Sequence, residues 1–260
     1  MEKKLVDIFT KHGEVLADTA RSFIRKFISH KPIIKFKDDG SPVTNYDKEL
    51  ELILRNSIKN EYPQHGILGE ELEAKNPNAE FTWLIDPIDG TLAFLTGIPV
   101  FTTLISLLHN GSPIIGIIEA PMTKDRWIGR KNQKTIHNEK LVRTSSCKKL
   151  SETIMATSSP DYYTAANIGI LTKLQSFSRQ TVYGGSSTAY AQIASGKIDF
   201  GIDANFDIHD FLPLVPVIEG AGGHMTDWQG KALSVRSGKE NMLASANSYI
   251  HEQVLEKINN

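Results

Sequence analysis

The chain has 260 residues, of which 40% are hydrophobic and 23% charged, the balance of an ordinary globular protein with a sizeable core. A formal net charge of −1 gives no general electrostatic pull toward nucleic acid or an anionic membrane. The single cysteine, Cys147, excludes an internal disulfide, no apolar run reaches the ~18 residues of a membrane-spanning helix, and the N-terminus lacks the apolar stretch of a signal peptide, so the expected location is the cytoplasm.

Leu5 to Ile28 place Val6, Phe9, Leu16, Phe23, Ile24 and Phe27 at helical spacing, with a break expected near Gly13. Phe36-Lys-Asp-Asp-Gly-Ser-Pro42 reads as a turn. Thr44 or Asn45 is a natural N-cap for an amphipathic helix through Leu50, Leu54 and Ile58. Strands are expected at Gly66–Gly69, Phe81–Ile85, Val100–Leu108, Ile114–Ala120 and Arg126–Gly129, with His109-Asn-Gly-Ser-Pro113 as a hairpin signal. The second half alternates. Strands are expected at 153–157, 199–203, 224–227 and 242–245, and helices at 162–177, 186–195, 210–220 and 249–258. The polar stretch Thr144–Ser151 marks the only boundary. It divides an N-terminal half, residues 1–146, from a C-terminal half, 147–260, and is short enough that the two form one unit. Helix and sheet in layers is the expected architecture.

The most informative segment is Asp86-Pro-Ile-Asp-Gly-Thr91. A strand runs straight into two carboxylates three positions apart, followed by Gly90 and the start of a short segment whose free N–H groups suit an anion. Taken alone, Asp-Pro or Asp-Gly is an ordinary turn. Glu70-Glu71 alone is a solvated acidic pair. Asp210 alone is a helix cap, and Asp47 alone is an acid at the favourable end of a helix dipole. Together they offer a carboxylate cluster from four segments. Carboxylates beside a phosphate repel it unless a cation lies between, and hard oxygen ligands favour Mg²⁺. Such a cation makes water acidic enough to attack near neutral pH, so no Cys, Ser or His nucleophile is required. No phosphate-loop, dinucleotide or zinc spacing is present, which argues against kinases and dehydrogenases.

These residues resemble the inositol monophosphatase superfamily of Mg²⁺-dependent phosphatases. The matching pieces are Ser41-Pro-Val-Thr-Asn-Tyr-Asp47, Gly69-Glu-Glu71, Trp83 to Thr91 with Phe94, Gly97, Pro99 and Phe101, and Asp210 followed by Glu219-Gly-Ala-Gly-Gly223. The resemblance implies an α/β, αβαβα layered fold, a homodimer, two or three Mg²⁺ ions, and lithium inhibition. It assigns Glu70, Asp86, the Ile88 carbonyl, Asp89 and Asp210 to the metals. Asp47 and Thr91, with Glu70, serve water activation, and Gly90 and Thr91 amides hold phosphate. Asp89, Gly185, Ser186, Asp203 and Asp210 face the substrate, and Glu71 plays a supporting part.

Within the superfamily the wording resembles the bacterial histidinol-phosphate phosphatases, notably Arg126-Trp-Ile-Gly129, Ala156-Thr-Ser-Ser-Pro-Asp161 and Met225-Thr-Asp-Trp-Gln-Gly230. That branch has an acid where this chain has Ser186, a basic residue where it has Leu92, and Lys-Pro-Tyr where it has Asp207-Ile-His209. Asp203 matches the position at which inositol phosphatases hold sugar hydroxyls with an acid. The expected substrate is a small phosphorylated metabolite: histidinol phosphate first, inositol monophosphate close behind, then a sugar or adenosine bisphosphate. Some superfamily members act instead through transcription or RNA machinery. A near-neutral charge and the retained acids favour catalysis with no nucleic-acid or membrane partner.

Overall fold

The computed structural model describes residues 3–38 and 40–260; Met1, Glu2 and Asp39, the last inside the expected turn, lie outside it. In chain order the elements are α1 (Lys3–Phe27), β1 (Ile34–Phe36), β2 (Pro42–Thr44), α2 (Asn45–Glu61), β3 (Gly66–Gly69), β4 (Phe81–Asp89), α3 (Thr91–Thr96), β5 (Thr102–His109), β6 (Ser112–Ala120), β7 (Asp125–Arg130), β8 (Ile136–His137) and β9 (Lys140–Leu141). They continue with β10 (Ile154–Thr157), α4 (Ile168–Phe177), β11 (Gln180–Tyr183), α5 (Ser186–Ala194), β12 (Phe200–Phe206), α6 (Ile208–Phe211), α7 (Leu214–Gly220), β13 (His224–Asp227), β14 (Glu240–Ser245) and α8 (Ser248–Asn259). Among the described residues no helix is long and apolar enough to cross a membrane.

Five layers result. Helices α1 and α2 cover one face of a seven-stranded sheet ordered β3-β4-β5-β6-β7-β8-β9. Helices α5 and α7 fill the space between that sheet and a five-stranded one ordered β11-β10-β12-β14-β13, and α4 and α8 close the far side. Both faces of the large sheet are therefore covered, and its central strands are apolar nearly throughout. Alternation decides which layer each side chain joins. Ile105 and Leu107 pack toward α1 and α2, whereas Leu104 and Leu108 pack toward α5 and α7.

Several expectations need correction. Helix α1 runs unbroken through Gly13. A Cβ there would strike the Ile117 side chain, so the glycine permits close helix–sheet approach and makes no break. The helix expected from Tyr162 begins only at Ile168, because Pro160–Tyr162 forms a separate 3₁₀ turn capped by Ser159. The helix expected over 210–220 is two helices. Asp210 stands at the third position of α6, in a capping box with Asp207, and the run restarts beyond Pro213 as α7. Strands β1, β2, β8, β9 and β11 were not expected; all are short, and only pairing defines them.

Backbone contact between α7 and the large sheet bears on the site. A Cβ at Gly116 would collide with the Pro213 carbonyl, and one at Gly129 with the Pro216–Val217 backbone. Helix α7 is thus seated directly on β6 and β7, and Asp210 lies three residues before Pro213. We expect Gly116→Ala to cost about 1–3 kcal/mol by overpacking and to weaken cation binding by displacing α6. Thermal denaturation with and without Mg²⁺ measures both. Gly169→Ala, whose added methyl meets nothing within 4 Å, is the neutral control.

Candidate metal centre and active site

Asp86 and Asp89 are an odd number of residues apart, so a regular strand would aim them at opposite faces. The β4–β5 pairing shifts register between them, from Asp86↔Leu104 to Asp89↔Thr102. The extra residue turns the strand, and both carboxylates come to one place. Asp86 Oδ1 accepts the Ile88 N–H at 3.0 Å, and the Thr103 hydroxyl donates to the Pro87 carbonyl at 2.8 Å, fixing the bulge. Asp210 arrives from the other sheet, its Oδ2 accepting the Asp207 N–H at 2.8 Å. Asp86, Asp89 and Asp210 then each place one carboxylate oxygen within 4.8 Å of the others.

Glu70 follows β3 with its N–H bonded to the Ile85 carbonyl at 3.2 Å. It stands close enough to share a side-chain hydrogen bond with Asp86, but one of its oxygens is held by Lys37 at 2.7 Å. Lys37 also meets Glu71 at 2.7 Å. Burial disfavours the Lys37 charge; the two carboxylates outweigh it and hold the ammonium above its ordinary pKa. Glu71 is itself pushed up by burial, against the pull of Lys37.

Burial, then Glu70, Asp89 and Asp210, push the Asp86 carboxyl well above the ordinary range. Burial, Glu70 and Asp89 do the same to Asp210. Burial also raises Asp89, although Ser187 opposes it. A site of repelling, buried carboxylates is unfavourable alone and favourable around a cation. The donors are all oxygen, and Asp89 Oδ2 accepts the Ser187 N–H at 3.0 Å, its hydroxyl at 2.5 Å, and Thr102 at 3.3 Å, while among the described residues nothing donates to Oδ1. These residues fit a hard divalent cation.

Asp47 carries two duties. Its Oδ2 closes the α2 capping box by accepting the Thr44 N–H at 2.8 Å and hydroxyl at 2.5 Å. Its Oδ1 lies 3.4 Å from the Thr91 hydroxyl, which is also 3.1 Å from the Ile88 carbonyl. Burial raises the Asp47 pKa against the hydrogen bonds from Thr44. Gly90 has φ of +82°, the left-handed conformation that turns β4 into α3, and a Cβ there would meet the Ser186 hydroxyl. Gly185 and Ser186 therefore border the same turn, Ser186 itself holding a φ of +44°.

Asp203 stands apart. It is fully buried, and its oxygens accept Thr157 Oγ1, Ser158 N–H and Oγ, all at 2.9 Å, and Tyr190 OH at 2.6 Å. Burial pushes its pKa to about 6 despite these donors. There it ties β10, β12 and α5 together. Its lone pairs are already taken by protein donors.

Sequence reasoning missed three groups. Ser187 and Thr102 hold the Asp89 carboxylate. Buried Glu51 accepts the Arg55 Nε–H at 2.6 Å and the Glu71 and Leu72 N–H groups at 2.7 and 3.2 Å, holding the turn that carries Glu70. The signal was present as an i,i+4 acid–base pair, one turn after Asp47, on the face of α2 that carries Leu50, Leu54 and Ile58. Ser187→Ala should raise the cation concentration for half-maximal activity about 10-fold, the size of losing an outer partner of a metal ligand. A titration of rate against Mg²⁺ reads it, with the rate at saturating Mg²⁺ less affected.

A sequence profile of the inositol monophosphatase family matches residues 3–260. The chain is 41% identical to the bifunctional phosphatase IMPL2, chloroplastic, of Arabidopsis thaliana, over 97% of this chain and 75% of that protein. It is 28% identical to a histidinol-phosphatase of Mycobacterium tuberculosis over 94% and 95% of the two chains. A solved inositol monophosphatase from Zymomonas mobilis superposes over both whole chains with a TM-score of 0.89 at 35% identity. With the acidic cluster in place, these likenesses settle the family and the reaction class: the chain belongs to the inositol monophosphatase family and is a phosphatase.

Proposed function

We propose that the protein is a Mg²⁺-dependent phosphate monoesterase acting on histidinol phosphate ahead of inositol monophosphate. The convergence of buried Asp86 and half-buried Asp89 and Asp210, from β4 and α6, into one cluster carries the Mg²⁺ part. Asp86, Asp89, Asp210, Glu70 and the Ile88 carbonyl would hold two or three ions. Bound there, the cations neutralise the phosphoryl oxygens, acidify water and stabilise the departing ester oxygen. Asp47 and Thr91 orient the attacking water, their side chains lying 3.4 Å apart. The Gly90 and Thr91 amides at the start of α3 would donate to the phosphate.

The substrate preference has separate support. Likeness to a histidinol-phosphatase favours the amino alcohol, and likeness to the Zymomonas mobilis inositol monophosphatase keeps the cyclitol in view. Burial of Asp203 withdraws the acid that would hold a polyol's hydroxyls. The same proposal includes a cytoplasmic location, in keeping with a single cysteine, and a homodimer. Exposed Leu92 in α3 and Ile98 just after it support a covered surface there.

The test compares kcat/KM on histidinol phosphate, inositol 1-phosphate and adenosine 3′,5′-bisphosphate with Mg²⁺. The expected order is the one just given, and a reversed order of the first two overturns the substrate reading. No turnover on any ester, with cation binding intact, overturns catalysis in favour of a macromolecular partner.

A further inference from the structure

The parallel strands β10, β11 and β12 are neighbours, so their carboxyl ends lie along one edge of the five-stranded sheet. Ligands of α/β folds collect outside such ends. The loop after β11 supplies Gly185 to Ser187, and that after β12 supplies Asp210. The loop after β10, Ser158–Tyr162, has no part in the chemistry described so far.

That loop is firmly held. Ser158 donates through N–H and Oγ to Asp203, Ser159 Oγ accepts the Asp161 N–H at 3.1 Å, and Asn205 Nδ2 donates to the Tyr162 carbonyl at 3.2 Å. The Tyr162 ring meets Phe206 edge-on, with centroids 5.7 Å apart and planes at 72°. Phe206 ends β12, four residues before Asp210. Yet Tyr162 is 49% exposed, although its loop is pinned on both sides. Partial burial, then the charges of Asp89, Asp203 and Asp210, hold its pKa above the ordinary value. Asp161 and Asp207 add negative charge at this edge, with Lys239 opposing at Asp207.

We infer that Tyr162, backed by Phe206, is a specificity-determining residue: its ring walls the organic half of the ester and selects a flat or cationic alcohol over a polyol. An aromatic face in a negative field attracts a cation and stacks on a planar ring. A polyol needs hydrogen-bonding groups, and Asp203 beneath the loop has none to spare. The inference rests on the substrate reading above and adds the residue that enforces it.

The test measures kcat and KM on histidinol phosphate and inositol 1-phosphate for the Mg²⁺-loaded wild type, Y162F, Y162A and Y162L. Y162F keeps the ring and should keep the preference. Y162A and Y162L should raise KM for histidinol phosphate about 10-fold, the size of one partly desolvated cation–π contact, with kcat and the inositol ester little changed. Leucine keeps apolar bulk, so Y162L serves if Y162A folds poorly. A preference that survives loss of the ring overturns the inference alone, as does an equal loss on both esters, which would mark Tyr162 as structural. A wild type that prefers inositol 1-phosphate overturns the substrate reading and the selecting wall with it.

Discussion

Asp89→Asn is expected to lose activity by at least about 10²- to 10³-fold, the scale on which one preorganised electrostatic group contributes, while the protein stays folded. The substitution removes a charge and keeps the shape. An asparagine oxygen still accepts from Ser187 and Thr102, which now bind Asp89 Oδ2. What is lost is the charge of a carboxylate that stands within 4.8 Å of an Asp86 and an Asp210 oxygen. The same change relieves repulsion in the cation-free protein. There Asp86 and Asp210 are raised by burial, Glu70 and Asp89, and Asp89 by burial and Glu70, so ionising them above the usual carboxylate pKa costs stability. Cation-free Asp89→Asn should therefore melt at or above the cation-free wild type, by about 2–4 °C for each kcal/mol of relief. Mg²⁺ should then raise its melting temperature much less than it raises that of the wild type. Wild-type rates at limiting Mg²⁺, or an undiminished thermal response to Mg²⁺, would refute the site.

Glu51→Ala should have the largest effect on stability, about 3–5 kcal/mol, because it strands a buried guanidinium. Glu51 has no solvent exposure, and Arg55 is 4% exposed. Arg55 also donates to the Leu72 and Glu73 carbonyls at 2.7 and 2.9 Å, so the pair holds the whole turn after Glu70. A Cβ at Gly69 would collide with the Glu51 carboxylate, which shows how tightly the turn is wrapped. Chemical denaturation measures the loss, and Mg²⁺ titration of the surviving folded fraction should show weaker binding through a displaced Glu70. Many buried ion pairs can be replaced together by apolar residues at little cost. Here the double change Glu51→Leu with Arg55→Met should not recover stability, because the Glu71 and Leu72 N–H groups would still lack an acceptor. A double variant as stable as wild type would show that the turn holds itself.

Much of this was legible from the order of residues. Periodicity located α1, α2, α5 and α8 and most central strands, because each buries one face and repeats with its own period. The Asp-Pro-Ile-Asp-Gly-Thr segment marked the site because two acids, a proline and a glycine at a strand end serve no packing purpose. Short strands such as β1, β8 and β11 were not legible, since two to four residues carry no period and exist only through a partner. The division of α6 from α7 falls at Pro213, a residue without the N–H that continues a helix, and was passed over because apolar residues continue on both sides of it.

The acids themselves, their spacing and the kind of ion they suit were determined by the sequence alone, since ligand chemistry belongs to side chains and not to their arrangement. The tertiary structure decided how those acids are used. A register shift aimed Asp86 and Asp89 together, Ser187 and Thr102 occupied one oxygen of Asp89, and Asp203 was drawn inside while Tyr162 stayed half exposed. The physical reason is that direction and burial depend on contacts between segments far apart in the chain, and no local pattern of residues encodes them.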